Sequence, residues 1–137
     1  MIETATLDDR KAVVALWRDC GLTRPWNDPE ADFMAALATG TSTLLVARYG
    51  GGITGSVMTG FDGHRGWVYY LAVSPTARRG GLGTALMTAA EDWLRGQGAP
   101  KIQLMVRGTN ADALGFYEAL GLERQDVVTL GRFLNGE

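Results

Sequence analysis

The chain is short of the residues on which covalent and metal chemistry most often rests. One cysteine, Cys20, and one histidine, His64, occur in 137 residues. A lone cysteine allows no internal disulfide, so a reducing compartment is expected. So few sulfur and imidazole groups make no metal-ligating cluster, and no metal is expected. The single histidine has no Gly-x-Ser-x-Gly beside it, which argues against a Ser-His-Asp hydrolase. Positive charge is not in excess: 13 Lys and Arg stand against 15 Asp and Glu, a net charge of −2. General binding of nucleic acid or of an anionic membrane needs a basic surface and is not expected. A small anion at a local basic spot remains compatible with that balance. No apolar run approaches the length that spans a bilayer. The opening "MIETATLDDR" has no apolar core of a secretory signal, so a cytoplasmic protein is expected. What the chain does have is apolar content: 46% of residues are hydrophobic and 20% charged. That suits one domain over residues 1–137 with a core of its own.

Periodicity divides the chain into short elements. Ile2 to Ala5 reads as a strand. Thr6 and Asp9 have the spacing of a capping box, with Asp in place of Glu or Gln. Ala12, Val13, Leu16 and Trp17 then share a helical face that ends at Gly21. The link "TRPWNDPE" closes on Asp28-Pro29, an N-cap and first-turn pair, and predicts a second helix through Leu37. "STLLVARYGGGITGSVMTGF" is strand, glycine turn and strand, a hairpin. "DGHRG" turns into "WVYYLAV", a strongly β-prone run. Leu82 to Arg95 predicts an amphipathic helix stopped by Gly96 and Gly98. "KIQLMV" predicts a strand, Asn110 caps a helix from Ala111 to Leu120, and "VVTLGRFL" predicts a last strand. The order β-α-α-β-β-β-α-β-α-β implies an α/β (α+β) fold around a mixed sheet.

The junction "LAVSPTARRGGLGTAL" is the most informative stretch. A strand, a glycine-rich turn and a helix together make a ready anion site. The first N–H groups of a helix lack internal partners, and the helix dipole places partial positive charge there. Glycines admit a phosphate close to the backbone, and Arg78 and Arg79 add charge-assisted donors. A nucleotide-binding P-loop would end in Gly-Lys-Ser/Thr, and here Gly83-Thr84 follows with no lysine. A dinucleotide fingerprint would place a third glycine where Leu86 stands. Phosphate or pyrophosphate binding and a plain tight turn with surface arginines both fit these residues.

A second motif narrows the choice. Arg78, two residues, Gly81, one residue and Gly83 resemble the acetyl-CoA-binding signature of the GNAT superfamily of N-acetyltransferases. "NADALGFYEALGL" resembles its second signature: Asn110, Ala113, Phe116, Tyr117, Gly121 and Leu122 at the family's spacing. "RPWNDP" and "DGHRGWVYYLAV" further resemble a subgroup of small bacterial members. The resemblance implies a sheet of six or seven strands flanked by about four helices, with acetyl-CoA as co-substrate. Backbone N–H groups from Arg79 through Gly80, Gly81, Leu82 and Gly83 to Thr84 would hold the pyrophosphate, with Arg78 beside them. Leu71, Ala72 and Val73 would lie on a strand splayed from "KIQLMV". The amides of the pantetheine arm would pair there like an added strand, with Val73 the preferred partner. Asn110 would bond the arm or cap its helix. Tyr117 would sit at the thioester sulfur and donate a proton to the leaving thiolate; an ordinary phenol is protonated at neutral pH.

The family's general-base glutamates are missing. Trp67 stands at one such position and Met105 at the other. Ordered water, Asp62, His64 or Tyr69 are the alternatives, and Tyr69, Leu71 and Val73 should alternate onto one sheet face. Trp26 and Asn27 would wall an acceptor pocket, unless Trp26 only pins its loop to the core. The implied acceptor is a primary amine of a small molecule or peptide, attacking directly in a ternary complex. Cys20 lies outside both motifs, so no acyl-enzyme is expected. The rival is a non-catalytic module that binds coenzyme A as a sensor or interaction domain. Many members of the superfamily are dimers, and a homodimer is compatible with the resemblance.

Overall fold

A computed structural model describes residues 1–135, which divide into two compact units, Met1–Met105 and the residues from Val106 onward. In the first unit, β1 (Ile2–Thr4), β2 (Ser42–Tyr49), β3 (Gly52–Phe61), β4 (Gly66–Val73) and β5 (Ile102–Leu104) form one sheet in chain order. All neighbours are antiparallel except β4 and β5, which run parallel. The parallel pair needs a crossover, and α3 (Leu82–Gln97) supplies it. α1 (Arg10–Asp19) and α2 (Pro29–Ala38) join β1 to β2.

The local signals set the helix ends. Asp28 caps α2: its Oδ1 accepts from the N–H groups of Glu30 and Ala31 at 3.0 and 3.2 Å. Asp9 Oδ2 accepts from the Thr6 N–H at 2.8 Å and so closes the turn that enters α1. Gly98, at φ +86°, ends α3. Gly96 does not stop the helix and lies within it.

Two faces of the sheet are covered. Ser56 meets Trp17 of α1, whereas a Cβ on Gly55 would meet Leu86 of α3 at 2.8 Å. Adjacent residues of a strand point to opposite faces, so α1 and α3 lie on opposite sides. Trp17, Phe33, Leu44, Leu86 and Met87 are fully or almost fully buried in the two layers.

The second unit holds α4 (Ala111–Ala119). Here the expectation of six or seven strands is corrected. Among the described residues the sheet has five, and "VVTLGRFL" is not one of them. Val127, Val128, Leu130 and Leu134 are 74% to 95% exposed. Strand preference is a preference for a pleated, half-buried surface. These side chains find none, and Gly131 further weakens the run.

Candidate functional site

The candidate site of the first unit is the end of β4 and the turn into α3. β4 pairs with β5 from Gly66↔Ile102 as far as Val68↔Leu104. From Tyr69 to Val73, β4 continues along β3 alone, with Val73 opposite Gly55. Within this unit, the β4–β5 pairing thus stops before Leu71–Val73, the stretch expected to lie splayed from "KIQLMV". A bulge in the β3–β4 pairing lies just beyond that point. Ser56 faces Ala72 and Met58 faces Tyr69, so Val57 alone stands opposite two residues, Tyr70 and Leu71. Tyr70 takes φ +53°, the left-handed position that glycine usually fills in such a bulge. For a bulky side chain that conformation costs roughly 1–3 kcal/mol.

The bulge corrects one expectation. Paired residues share a face, so Tyr69 points with Met58 and Val73 points with Gly55. Met58 and Gly55 are three apart on β3, hence on opposite faces. Tyr69 and Val73 do not line one surface, because the extra residue shifts the alternation between them.

Past Val73 the chain makes a 3-10 turn over Pro75–Ala77 and then the glycine loop. Arg79 at φ +71° and Gly81 at φ +78° are both left-handed. Gly81 is the N-cap of α3 and contributes no side-chain cap. The first α-helical bond is from Ala85 N–H to Gly81 O at 3.0 Å. The N–H groups ahead of it are left for an external acceptor. No Cβ stands over Gly81, and even a built one would meet nothing within 4 Å. Arg78 bridges the strand end and the loop: its Nε donates to Val73 O at 3.1 Å. The Cys20 thiol donates to the same oxygen at 3.3 Å. The carbonyl of Val73, the residue expected to pair with the pantetheine arm, is thus already engaged by this chain's own donors.

In the second unit, Asn110 Oδ1 accepts from Ala113 N–H at 3.1 Å, an N-cap. Tyr117 is half-buried, edge-on to Phe116 with ring centroids 5.0 Å apart. Burial pushes its phenol above the ordinary tyrosine range and keeps it a proton donor at neutral pH.

The model for the acetyltransferase (GNAT) family matches residues 6–122, most of the chain. This chain belongs to that GNAT family. It is 49% identical over 127 residues to an acetyltransferase of Pectobacterium atrosepticum, covering 93% of this chain and 90% of that one. An uncharacterized N-acetyltransferase of Yersinia pestis is 46% identical over the same shares. Among solved structures, the ribosomal-protein-S18-alanine N-acetyltransferase of Escherichia coli superposes with a TM-score of 0.76 at 26% identity, over 88% of this chain and 76% of that one. The aminoglycoside N-acetyltransferase AAC(6')-Iy, solved with CoA, superposes at 0.84 with 17% identity over 98% and 94%. It shares the fold.

For this GNAT chain, the groups suggested as a general base stand as follows. Asp62 holds its own turn together. Its Oδ1 accepts from the N–H groups of His64 and Arg65 at 2.8 and 2.7 Å, and its Oδ2 from Trp67 Nε1 at 3.2 Å. The backbone donors hold its carboxyl below the usual carboxylate range, which makes it a weak base. His64 is exposed in the same turn. Tyr69 is 45% exposed, and burial of the remainder, followed by the charge of Asp62, raises its phenol. Trp26 is 56% exposed, so it does not pin its loop to the core, and Asn27 beside it is also exposed. Among the described residues no group of three or more His, Cys, Asp or Glu is placed to hold a metal ion, and no helix is long and apolar enough to cross a membrane.

Two contributors escaped sequence reasoning. Tyr70 carried no sign of a left-handed backbone, since glycine is the usual signal. Cys20 reaches Val73 across 53 residues of chain, a contact that periodicity does not encode.

Proposed function

We propose that the chain is an acetyl-CoA-dependent N-acetyltransferase that moves the acetyl group to a primary amine of a small molecule or peptide. The observation that carries this reading is the α3 N-terminus. It has no side-chain cap, is entered through a left-handed Gly81, and follows, after a short turn, a strand that outruns its neighbour. The N–H groups from Arg79 to Thr84 are assigned to the pyrophosphate, and Arg78 and Arg79 add charge. The free side of Leu71–Val73 is assigned to the pantetheine arm. When Arg78 turns toward the phosphates, Val73 O keeps the Cys20 thiol and exchanges the Arg78 bond for one to the arm. The CoA bound by the AAC(6')-Iy neighbour supports this choice of donor. The family match runs through both units, which supports one acetyltransferase domain over the chain.

The amine attacks the thioester carbonyl directly in a ternary complex, and the C–S bond breaks as the C–N bond forms. Tyr117 gives its proton to the leaving thiolate; the motif around it supports that role, and burial keeps the phenol protonated at neutral pH. Holding amine and thioester in line supplies most of the rate gain. With Asp62 engaged in its turn, ordered water is the preferred route for the amine's proton. A second reading, a coenzyme A-binding module without catalysis, is favoured by Trp67 and Met105 at the positions of the family's glutamates.

Calorimetric titration with acetyl-CoA, coenzyme A and NAD tests the donor. Selective micromolar binding of the first two supports the reading, and no binding at millimolar ligand removes it. Turnover in an amine screen then separates enzyme from sensor.

A further inference from the structure

No step above gives a role to Tyr70. Tyr70 is held in its left-handed conformation from three directions. Its ring stacks on Trp17, with centroids 3.8 Å apart and planes 12° from parallel. Its hydroxyl donates to Asp32 Oδ2 of α2 at 2.7 Å. Its backbone carbonyl accepts from Ser56 Oγ at 3.0 Å, and that oxygen in turn accepts from Trp17 Nε1 at 2.9 Å. Ring, indole, hydroxyl and carbonyl form a closed circuit around one backbone position.

A position that needs φ near +53° is most cheaply filled by glycine. A tyrosine there is retained only where surrounding contacts over-determine it, and such positions cluster at functional sites. The neighbours point the same way. Tyr70 is the first residue of the bulge, and Leu71, Ala72 and Val73 follow at once. A bulge re-aims the strand beyond it. The angle at which Leu71–Val73 present their amides is therefore set at Tyr70. Burial and the Asp32 carboxylate raise its phenol far above the ordinary tyrosine range, so it remains a donor throughout the working pH range.

We propose that Tyr70 is a positioning residue: locked by Trp17, Ser56 and Asp32, it holds the β4 backbone at Leu71–Val73 in the form that receives the pantetheine arm. The assignment of the arm rests on the acetyl-CoA reading above. The lock itself rests only on the contacts of Tyr70. It also makes α2 a partner of the donor strand, since Asp32 on that helix supplies the acceptor.

Three variants test it. Tyr70→Phe keeps the stack and removes the hydroxyl, Asp32→Ala removes the acceptor, and Asp32→Asn keeps an oxygen that can still accept. Calorimetry on each compares acetyl-CoA with adenosine 3',5'-bisphosphate, which carries phosphates but no pantetheine arm. Hydrogen exchange follows the amides of Leu71, Ala72 and Val73. The expected result for the first two variants is acetyl-CoA binding about tenfold weaker, or ~1.4 kcal/mol. Binding of the bisphosphate should stay within about twofold of wild type, and exchange should speed up at the three amides alone. Asp32→Asn restores both readouts. Parallel loss of both ligands with a lowered melting temperature means a merely structural role and overturns the proposal, as does unchanged acetyl-CoA affinity. If the wild-type chain binds no acetyl-CoA, the donor reading fails by itself. Exchange then decides: local acceleration upholds the lock, and unchanged protection rejects it.

Discussion

The indole N–H of Trp17 donates to the hydroxyl of Ser56 at 2.9 Å, and neither residue has any exposed surface. The contact joins α1 to the middle of β3. Ser56→Ala removes the acceptor while keeping nearly the same volume. A buried N–H without a partner costs about 1–3 kcal/mol, so urea denaturation should show a loss of that size. An unchanged midpoint would mean that the indole finds another acceptor.

Two glycines of the first unit should respond in opposite directions. A Cβ on Gly66 would lie 2.7 Å from both δ-carbons of Leu94, a buried residue of α3. Gly66→Ala overpacks that contact and should cost roughly 1–3 kcal/mol. Gly96 lies inside α3 with nothing within 4 Å of its built Cβ. Gly96→Ala should stabilise by about 0.5–1 kcal/mol, because glycine loses more freedom than alanine on entering a helix. Melting curves of the two variants, moving apart from wild type, check the packing of α3.

Asp9 ties the entry of α1 to β2. Arg48 donates to both of its carboxylate oxygens, at 2.9 and 2.6 Å, and Arg48 Nε also approaches Glu3 at 3.3 Å. The Arg48 hydrogen bonds hold the Asp9 carboxyl below its ordinary value, against the opposing effect of its burial. A carboxyl depressed in the folded state stabilises the fold above its unfolded value, and that stabilisation is lost as pH falls through the folded one. Asp9→Asn should therefore melt below wild type at pH 7, and the gap should narrow below about pH 4. A gap independent of pH would mean that Asp9 acts through shape alone.

Tyr117 offers the direct test of the chemistry. Tyr117→Phe should leave acetyl-CoA affinity within about twofold and lower turnover by roughly 10²-fold. Because burial raises this phenol, the loss of turnover at alkaline pH should begin above the ordinary tyrosine range. Equal turnover for the two proteins would make Tyr117 a packing residue.

Much of the fold was legible because its signals are local. Asp28 before Pro29 and Asn110 before α4 cap their helices as their side chains allow, and Gly98 and Gly121 close theirs in left-handed conformations. The turn after β4 carried its glycine at the position that needed φ +78°. "WVYYLAV" read correctly as a strand, yet its alternation misled beyond Tyr69. A bulge is defined by the strand opposite, and Val57 lies across the hairpin and its turn. "VVTLGRFL" has the composition of a strand, and composition does not supply a ladder partner.

By itself, then, the sequence determined the helices with their caps, the hairpin, and a glycine-rich turn suited to an anion, because each depends on residues a few positions apart. Only the tertiary structure decided which way the end of β4 faces. That direction follows from a strained Tyr70 held by Trp17, Ser56 and Asp32 from three other elements. Contacts between residues so far apart in the chain leave no local pattern, and they act only once the layers have packed.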